Sequence, residues 1–102
     1  MKTYNKLVRD KIPKIIKADG RECDTAIVAG DEKYKLLETK LQEEVNEFLE
    51  DKNLDELADV MEVLFGLAES LGYSEEELLE ARDKKRKERG GFKEGIVLKV
   101  VK

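Results

Sequence analysis

The chain has 102 residues, which predicts a single small domain over residues 1–102, and 43 % of them are charged although the net charge is only −4. Because the two signs are interleaved, the surface lacks the basic excess expected of a nucleic-acid-binding protein. There is no histidine, and Cys23 is the single cysteine. Imidazole ligands, a histidine base, an intrachain disulfide and a thiolate zinc cluster are therefore excluded.

Neither a secretory signal nor a run of about 18 apolar residues is found in the sequence, so we expect a cytoplasmic protein without a membrane partner. The lone cysteine agrees with a reducing compartment.

A short helix is predicted near the N-terminus. Asp10 is a plausible N-cap, Pro13 falls in the first turn and Gly20 ends the helix. Residues 23–28 and 96–101 are rich in β-branched side chains and predict a small β-hairpin.

Residues 31–51 predict an amphipathic helix. Its apolar residues recur every three or four positions. They are Tyr34, Leu37, Leu41, Val45 and Phe48. On a helical wheel Glu44 lies roughly 60° from the centre of this stripe and Glu47 roughly 120°, on the same side. We expect Glu43 to lie nearer solvent, so that Glu44 and Glu47 form the inward pair.

A second long helix is predicted from its cap, Asn53, to about residue 71, before Gly72. Its apolar residues cover more than half of the wheel, so it should be buried on several sides, in a bundle completed by another subunit. Glu56 falls inside the apolar arc and Asp59 at its margin. Both carboxylates should face the same side.

A capping box formed by Ser74 and Glu77 predicts a third long helix over residues 75–89, which ends in a basic run before Gly90. The predicted fold class is mostly α, with three main helices, a short N-terminal helix and the hairpin of residues 23–28 and 96–101.

Two carboxylate forks, Glu44 with Glu47 and Glu56 with Asp59, lie on helices joined by a tight turn. Antiparallel packing would bring the two forks together. Their four carboxylates are enough to hold one or two Mg²⁺ ions, and Mn²⁺ and Ca²⁺ are the second choices. Carboxylates that only form a solvated helix face are the alternative.

The sequence Glu43-Glu44-x-x-Glu47 followed by Glu56-x-x-Asp59 resembles the signature of the MazG-like all-α nucleoside triphosphate pyrophosphohydrolases. The opening segment 4–13 and Lys85-x-x-x-Arg89-Gly-Gly-Phe are similar to a small single-domain branch of that superfamily, so that the resemblance covers nearly the whole chain. Eight residues separate Glu47 from Glu56, fewer than is usual in the family.

The resemblance implies Mg²⁺-dependent cleavage of a nucleoside triphosphate to a monophosphate and pyrophosphate, by a homodimer or a dimer of dimers. It assigns the metal to Glu44, Glu47, Glu56 and Asp59. Glu43 is an outer-shell residue or a base acting through water, so that the catalytic set is Glu43, Glu44 and Glu47.

The resemblance also implies phosphate contacts from Lys85 and Arg89, although basic residues at a helix C-terminus also complement the helix dipole. Arg9 and Lys11 are further candidates to bind substrate, and pairing of Arg9 with Asp10 or a helix acid is the alternative. Phosphoribosyl-ATP pyrophosphohydrolase and a non-catalytic, self-associating helical module remain alternative functions.

Overall fold

The computed structural model describes residues 2–102 of the chain, in which four helices follow one another and no strand forms. The helices are α1 (Ile12–Ala18), α2 (Gly30–Asp51), α3 (Leu54–Ser70) and α4 (Glu75–Arg89). The prediction of three long helices after a short one is confirmed. None of these helices has the length and apolar composition that a bilayer-spanning segment needs.

Two residues connect α2 to α3. Lys52 adopts a left-handed conformation, with φ of 53°, and its N–H donates to the carbonyl oxygen of Phe48. Asn53 then caps α3, because its side chain accepts a hydrogen bond of 2.9 Å from the backbone N–H of Glu56. The predicted cap is confirmed. So short a connection reverses the chain and lays α3 back along α2.

The contact between α2 and α3 contains the small core. Leu37, Val63 and Ala68 are its buried apolar residues. A Cβ atom on Gly66 would lie 3.0 Å from Cδ2 of Leu37, so the two helices approach closely at this point. The rest of the predicted α2 stripe is half-buried on the same side, which confirms the predicted orientation of α2.

The end of α3 and the start of α4 follow their local signals. The N–H of Tyr73 donates to the carbonyl of Ala68, and the N–H of Gly72, whose φ is +92°, donates to that of Glu69. This pair of bonds is a Schellman motif that requires the positive φ of glycine. The capping box of Ser74 and Glu77 is present, as predicted.

The predicted hairpin and the predicted first cap are wrong. Residues 23–28 and 96–101 form no strand, and Ile27 and Val101 are 97 % and 81 % exposed. Their β-branched side chains favour extended backbone, but a strand also requires a partner ladder, which neither segment has. The N-cap of α1 is Lys11 rather than Asp10, and no side chain caps that helix.

The molecule is elongated, with principal extents of 61 × 31 × 23 Å. Its Cα radius of gyration is 17.7 Å, against about 13 Å for a compact domain of 100 residues. The α2–α3 hairpin is therefore the densely packed part of the structure, and the candidate site lies within it.

Candidate metal centre

Three carboxylates from α2 and α3 converge. One oxygen atom from each of Glu44, Glu56 and Asp59 lies within 4.8 Å of the other two. The turn at residues 52–53 explains this meeting, because the helices reverse there and carry Glu44, eight residues before the turn, and Glu56 and Asp59, three and six residues after it, on facing sides. Three of the four predicted metal ligands are thus brought together by the fold.

Two oxygen atoms of this cluster are buried without a hydrogen-bond partner: Oε2 of Glu44 and Oε2 of Glu56. Glu44 is only 7 % exposed and is the buried charged residue of the hairpin. An anionic oxygen removed from water without a donor is strongly destabilised unless a cation or a proton compensates it. The cluster therefore has the chemistry of a site for a hard divalent cation, which prefers carboxylate oxygens.

The electrostatics of the cluster agree with this interpretation. Burial raises the pKa of Glu56, and the negative charges of Asp59, Asp51 and Glu44 raise it further. A hydrogen bond with Glu44 raises the pKa of Glu47, and the charge of Glu44 adds to the effect. Without a metal, Glu47 and Glu56 therefore resist ionisation. A bound divalent cation would favour their ionised forms.

Two lysine side chains form ion pairs with the carboxylates on the other side of the cluster. Nζ of Lys40 lies 3.2 Å from Oε1 of Glu44 and 3.4 Å from Oε1 of Glu43. Nζ of Lys6, from the N-terminal segment, lies 3.0 Å from the same Glu43 oxygen. Partial burial raises the pKa of Glu43, but its hydrogen bond with Lys6 and the nearby charges of Lys40 and Lys6 outweigh burial and lower it overall.

The expected exposure of two acids is reversed. We expected Glu43 to lie nearer solvent than Glu47, yet Glu43 is half-buried and Glu47 is exposed. The N-terminal segment causes this difference, because Lys6 covers Glu43. The helical wheel of residues 31–51, on which the expectation was based, does not include that segment. Glu47 nevertheless lies close enough to Glu44 for that carboxylate to raise the pKa of Glu47.

Arg9 joins the site from the N-terminal segment. Its Nη2 atom donates a hydrogen bond of 2.7 Å to Oδ1 of Asp59. The cluster and its two neighbours Glu43 and Glu47 carry five carboxylates, and three cationic side chains, those of Lys6, Arg9 and Lys40, pair with Glu43, Glu44 and Asp59 among them. When all are ionised, two negative charges remain uncompensated, which is the charge of one divalent cation.

The remaining predicted substrate-binding residues lie outside the cluster. Lys85 and Arg89 are exposed on the last turns of α4, and Lys11 is exposed at the N-cap of α1. In the described chain none of the three forms an ion pair with the acids. A concavity of about 330 Å³ runs along α1 beside Ile15 and Asp19, without any of the clustered carboxylates.

Lys6 and Lys40 are site residues that the sequence analysis missed. The position of Lys40, three and four residues before Glu43 and Glu44, was a readable signal, because such pairs meet on one helix face. No local pattern indicates Lys6, which is 37 residues away from Glu43.

Searches of known protein families, of curated proteins and of solved structures found no match to this chain.

Proposed function

We propose that this protein is a Mg²⁺-dependent nucleoside triphosphate pyrophosphohydrolase that releases a nucleoside monophosphate and pyrophosphate. The observation that carries the proposal is the buried, unpartnered Oε2 atom of Glu44 in a group of three carboxylates within 4.8 Å of one another. The acidic motif adds the reaction class through its resemblance to the MazG-like superfamily. Mn²⁺ is an alternative metal with the same oxygen ligands.

Glu44, Glu56 and Asp59 are the proposed metal ligands, with Glu47 completing the set from beside Glu44. When bound, the ion neutralises phosphate charge and lowers the pKa of the attacking water. Glu47 is exposed at the edge of the cluster, where it can accept a proton from that water.

Glu43 fits a supporting role better than that of a base. Its lowered pKa makes it a weak proton acceptor, and both lysines of the site contact its Oε1 atom. We propose that Glu43 holds Lys40 in place against Glu44, so that one Glu44 oxygen is fixed while the other is directed to the metal.

Cationic side chains are the proposed phosphate contacts. Arg9 already lies beside the cluster through Asp59, and its guanidinium can bind two phosphate oxygens at once. The resemblance adds Lys85 and Arg89, one helical turn apart on α4, and Lys11 is a further candidate.

The test is pyrophosphate release from a panel of nucleoside triphosphates and phosphoribosyl-ATP in the presence of Mg²⁺. Glu56→Gln and Asp59→Asn should each abolish release while circular dichroism shows unchanged helix content. Glu62→Gln is the matched control, because Glu62 is exposed on the same helix outside the cluster. Normal turnover in both cluster variants would refute the assignment.

A non-catalytic, self-associating helical module is the second candidate, because α3 exposes large apolar side chains. Titration calorimetry separates the two functions. A module whose acids are only a solvated surface should bind no Mg²⁺ saturably at millimolar concentration.

A further inference from the structure

The N-terminal segment crosses from α2 to α3 beside the acidic cluster. We call residues 4–9 the strap; they form neither helix nor strand. Nζ of Lys6 lies 3.0 Å from Oε1 of Glu43 on α2. Three residues later, Nη2 of Arg9 lies 2.7 Å from Oδ1 of Asp59 on α3. One short segment is thus attached to both of the helices that carry the three converging carboxylates.

An apolar contact holds the strap against α2 between these two ion pairs. Leu7 is half-buried, and a small cavity of about 30 Å³ between the strap and α2 is lined by Leu7, Leu36 and Thr39. Asn5 has a positive φ of 47°, so the backbone turns just before Lys6. The fold therefore positions the backbone of the strap, while its cationic side chains reach the acids through ion pairs.

The strap brings positive charge to the site and no negative charge. Residues 1–9 contain Lys2, Lys6 and Arg9 and no acid, although the net charge of the chain is −4. Exposure distinguishes the cations of the site, because the side chain of Lys40 is 17 % exposed, whereas those of Lys6 and Arg9 are 40 % and 53 % exposed. Lys6 and Arg9 are therefore the cations of the cluster that a ligand from solution can reach.

Both of these cations keep hydrogen-bond donors for a ligand. An ammonium group has three N–H donors and a guanidinium group has five. In the described part of the chain the side chain of Lys6 donates to Glu43, and that of Arg9 donates to Asp59. The hydrogen bond with Glu43 raises the pKa of Lys6, slight burial opposes this, and the charges of Glu43 and Glu47 raise it further. Exposed ion pairs contribute little to stability, so either cation can turn towards an anionic ligand at small cost.

We propose that the strap binds the diphosphate part of the substrate, with Lys6 as a phosphate contact alongside Arg9. This inference rests on the proposed pyrophosphohydrolase function and adds Lys6 to the residues of that site. Two cations three residues apart on an extended segment are separated by up to about 10 Å along the backbone. They suit an anion with oxygen atoms on two linked phosphorus atoms better than a single phosphate, and both donate charge-assisted hydrogen bonds to such oxygens.

The experiment is titration calorimetry with methylenediphosphonate, a diphosphate analogue whose P–C–P bridge is not hydrolysed, in the presence of Mg²⁺. We expect saturable binding to the wild type. Binding to Lys6→Gln should be at least about tenfold weaker, because one charge-assisted hydrogen bond is lost. Lys6→Arg should retain most of the affinity, since it keeps the cation. Circular dichroism verifies that the variants are folded.

Lys2→Gln is the matched control for Lys6→Gln. Lys2 and Lys6 both lie against the ring of Tyr4, with Nζ 5.3 Å and 5.5 Å from its centroid. In the described chain, however, Lys2 forms no ion pair with the acids. The two changes remove the same charge from the same segment, so equal losses of affinity for the analogue would overturn the assignment of Lys6 as a phosphate contact.

Titration with Mg²⁺ alone distinguishes phosphate binding by Lys6 from support of the metal centre. Lys6 contacts none of the three converging carboxylates, so Lys6→Gln should bind Mg²⁺ no more weakly than the wild type does. A loss of Mg²⁺ affinity as large as the loss for the analogue would mean that Lys6 has only a structural role.

The same measurements separate this inference from the proposed function. If the wild type binds Mg²⁺ and releases pyrophosphate, but binds the analogue no more tightly than Lys6→Gln does, only the assignment of the strap is wrong. A wild type that binds no Mg²⁺ would refute the proposed function and this inference together.

Discussion

Lys40 and Glu44 form an ion pair within α2, in which Nζ lies 3.2 Å from Oε1, while Oε2 of the same carboxylate has no partner. One oxygen of Glu44 is thus compensated inside the chain and the other is not. Because of this asymmetry, the contribution of Lys40 to folding stability and the contribution of a bound metal can be measured separately.

Lys40→Met should destabilise the metal-free protein. It leaves Oε1 of Glu44 buried without a donor and removes one of the two lysines at Glu43. Loss of this ion pair, together with the hydrogen bond that Lys40 donates to Glu43, costs about 2 kcal/mol, which lowers the melting temperature of a small domain by roughly 10 °C. Thermal denaturation in EDTA measures the effect.

Lys35→Met is the control for this variant, because Lys35 is exposed on the same helix and makes no ion pair with the cluster. Equal melting temperatures for the two variants would mean that the Lys40 contacts contribute nothing to stability.

Mg²⁺ should stabilise the protein through Glu44. A ligand at a hundred times its dissociation constant adds about 2.7 kcal/mol to the folded state, and removal of Glu44 from the ligand set should cancel that gain. We therefore expect Mg²⁺ to raise the melting temperature of the wild type and not that of Glu44→Gln. Glu38→Gln, an exposed change on the same helix, should keep the full response. A wild-type melting temperature that Mg²⁺ leaves unchanged would contradict a metal site.

The acidic cluster could be predicted in large part because its causes are local. The cap formed by Asn53 and the two pairs of acids, each pair three residues apart, are visible in the sequence. Once two helices are joined by two residues, their facing sides follow from the helical period. That is why Glu44, Glu56 and Asp59 were correctly placed together.

What the sequence could not reveal depends on distant contacts. Lys6 reaches Glu43 across 37 residues, and Arg9 reaches Asp59 across 50. No periodicity encodes such pairs, so the exposures of Glu43 and Glu47 were predicted in the wrong order. Residues 96–101 illustrate the converse error, since strand propensity alone cannot supply the partner that a ladder needs.

The metal-free protein should lose stability as pH rises above about 4.5, the ordinary pKa of a glutamate. Glu47 and Glu56 have raised pKa values when folded, so the folded chain binds more protons than the unfolded chain in the window between 4.5 and the raised values. Stability falls through that window. The lowered pKa of Glu43 acts in the opposite direction, and its contribution is lost only as pH falls below 4.5.

Urea denaturation in EDTA at about pH 5 and about pH 7 tests this slope. Glu56→Gln should reduce the loss of stability at the higher pH, because it removes a carboxylate whose ionised form the folded state disfavours. Glu62→Gln should behave as the wild type does, since Glu62 is exposed outside the cluster. A wild type that gains stability between the two pH values would contradict the predicted sign.

Arg9→Gln should affect catalysis far more than stability. The Arg9–Asp59 pair is short, at 2.7 Å, but both side chains are well exposed, so its loss should cost less than about 1 kcal/mol. If Arg9 binds substrate phosphate, the loss of one charge-assisted hydrogen bond, about 1.5–3 kcal/mol, should raise KM at least about tenfold. Steady-state kinetics and urea denaturation of the same preparation separate the two effects. Arg21→Gln is the control, because Arg21 is exposed beyond α1 and forms no ion pair with the acids of the cluster. An unchanged KM in Arg9→Gln would leave this arginine only its contact with Asp59.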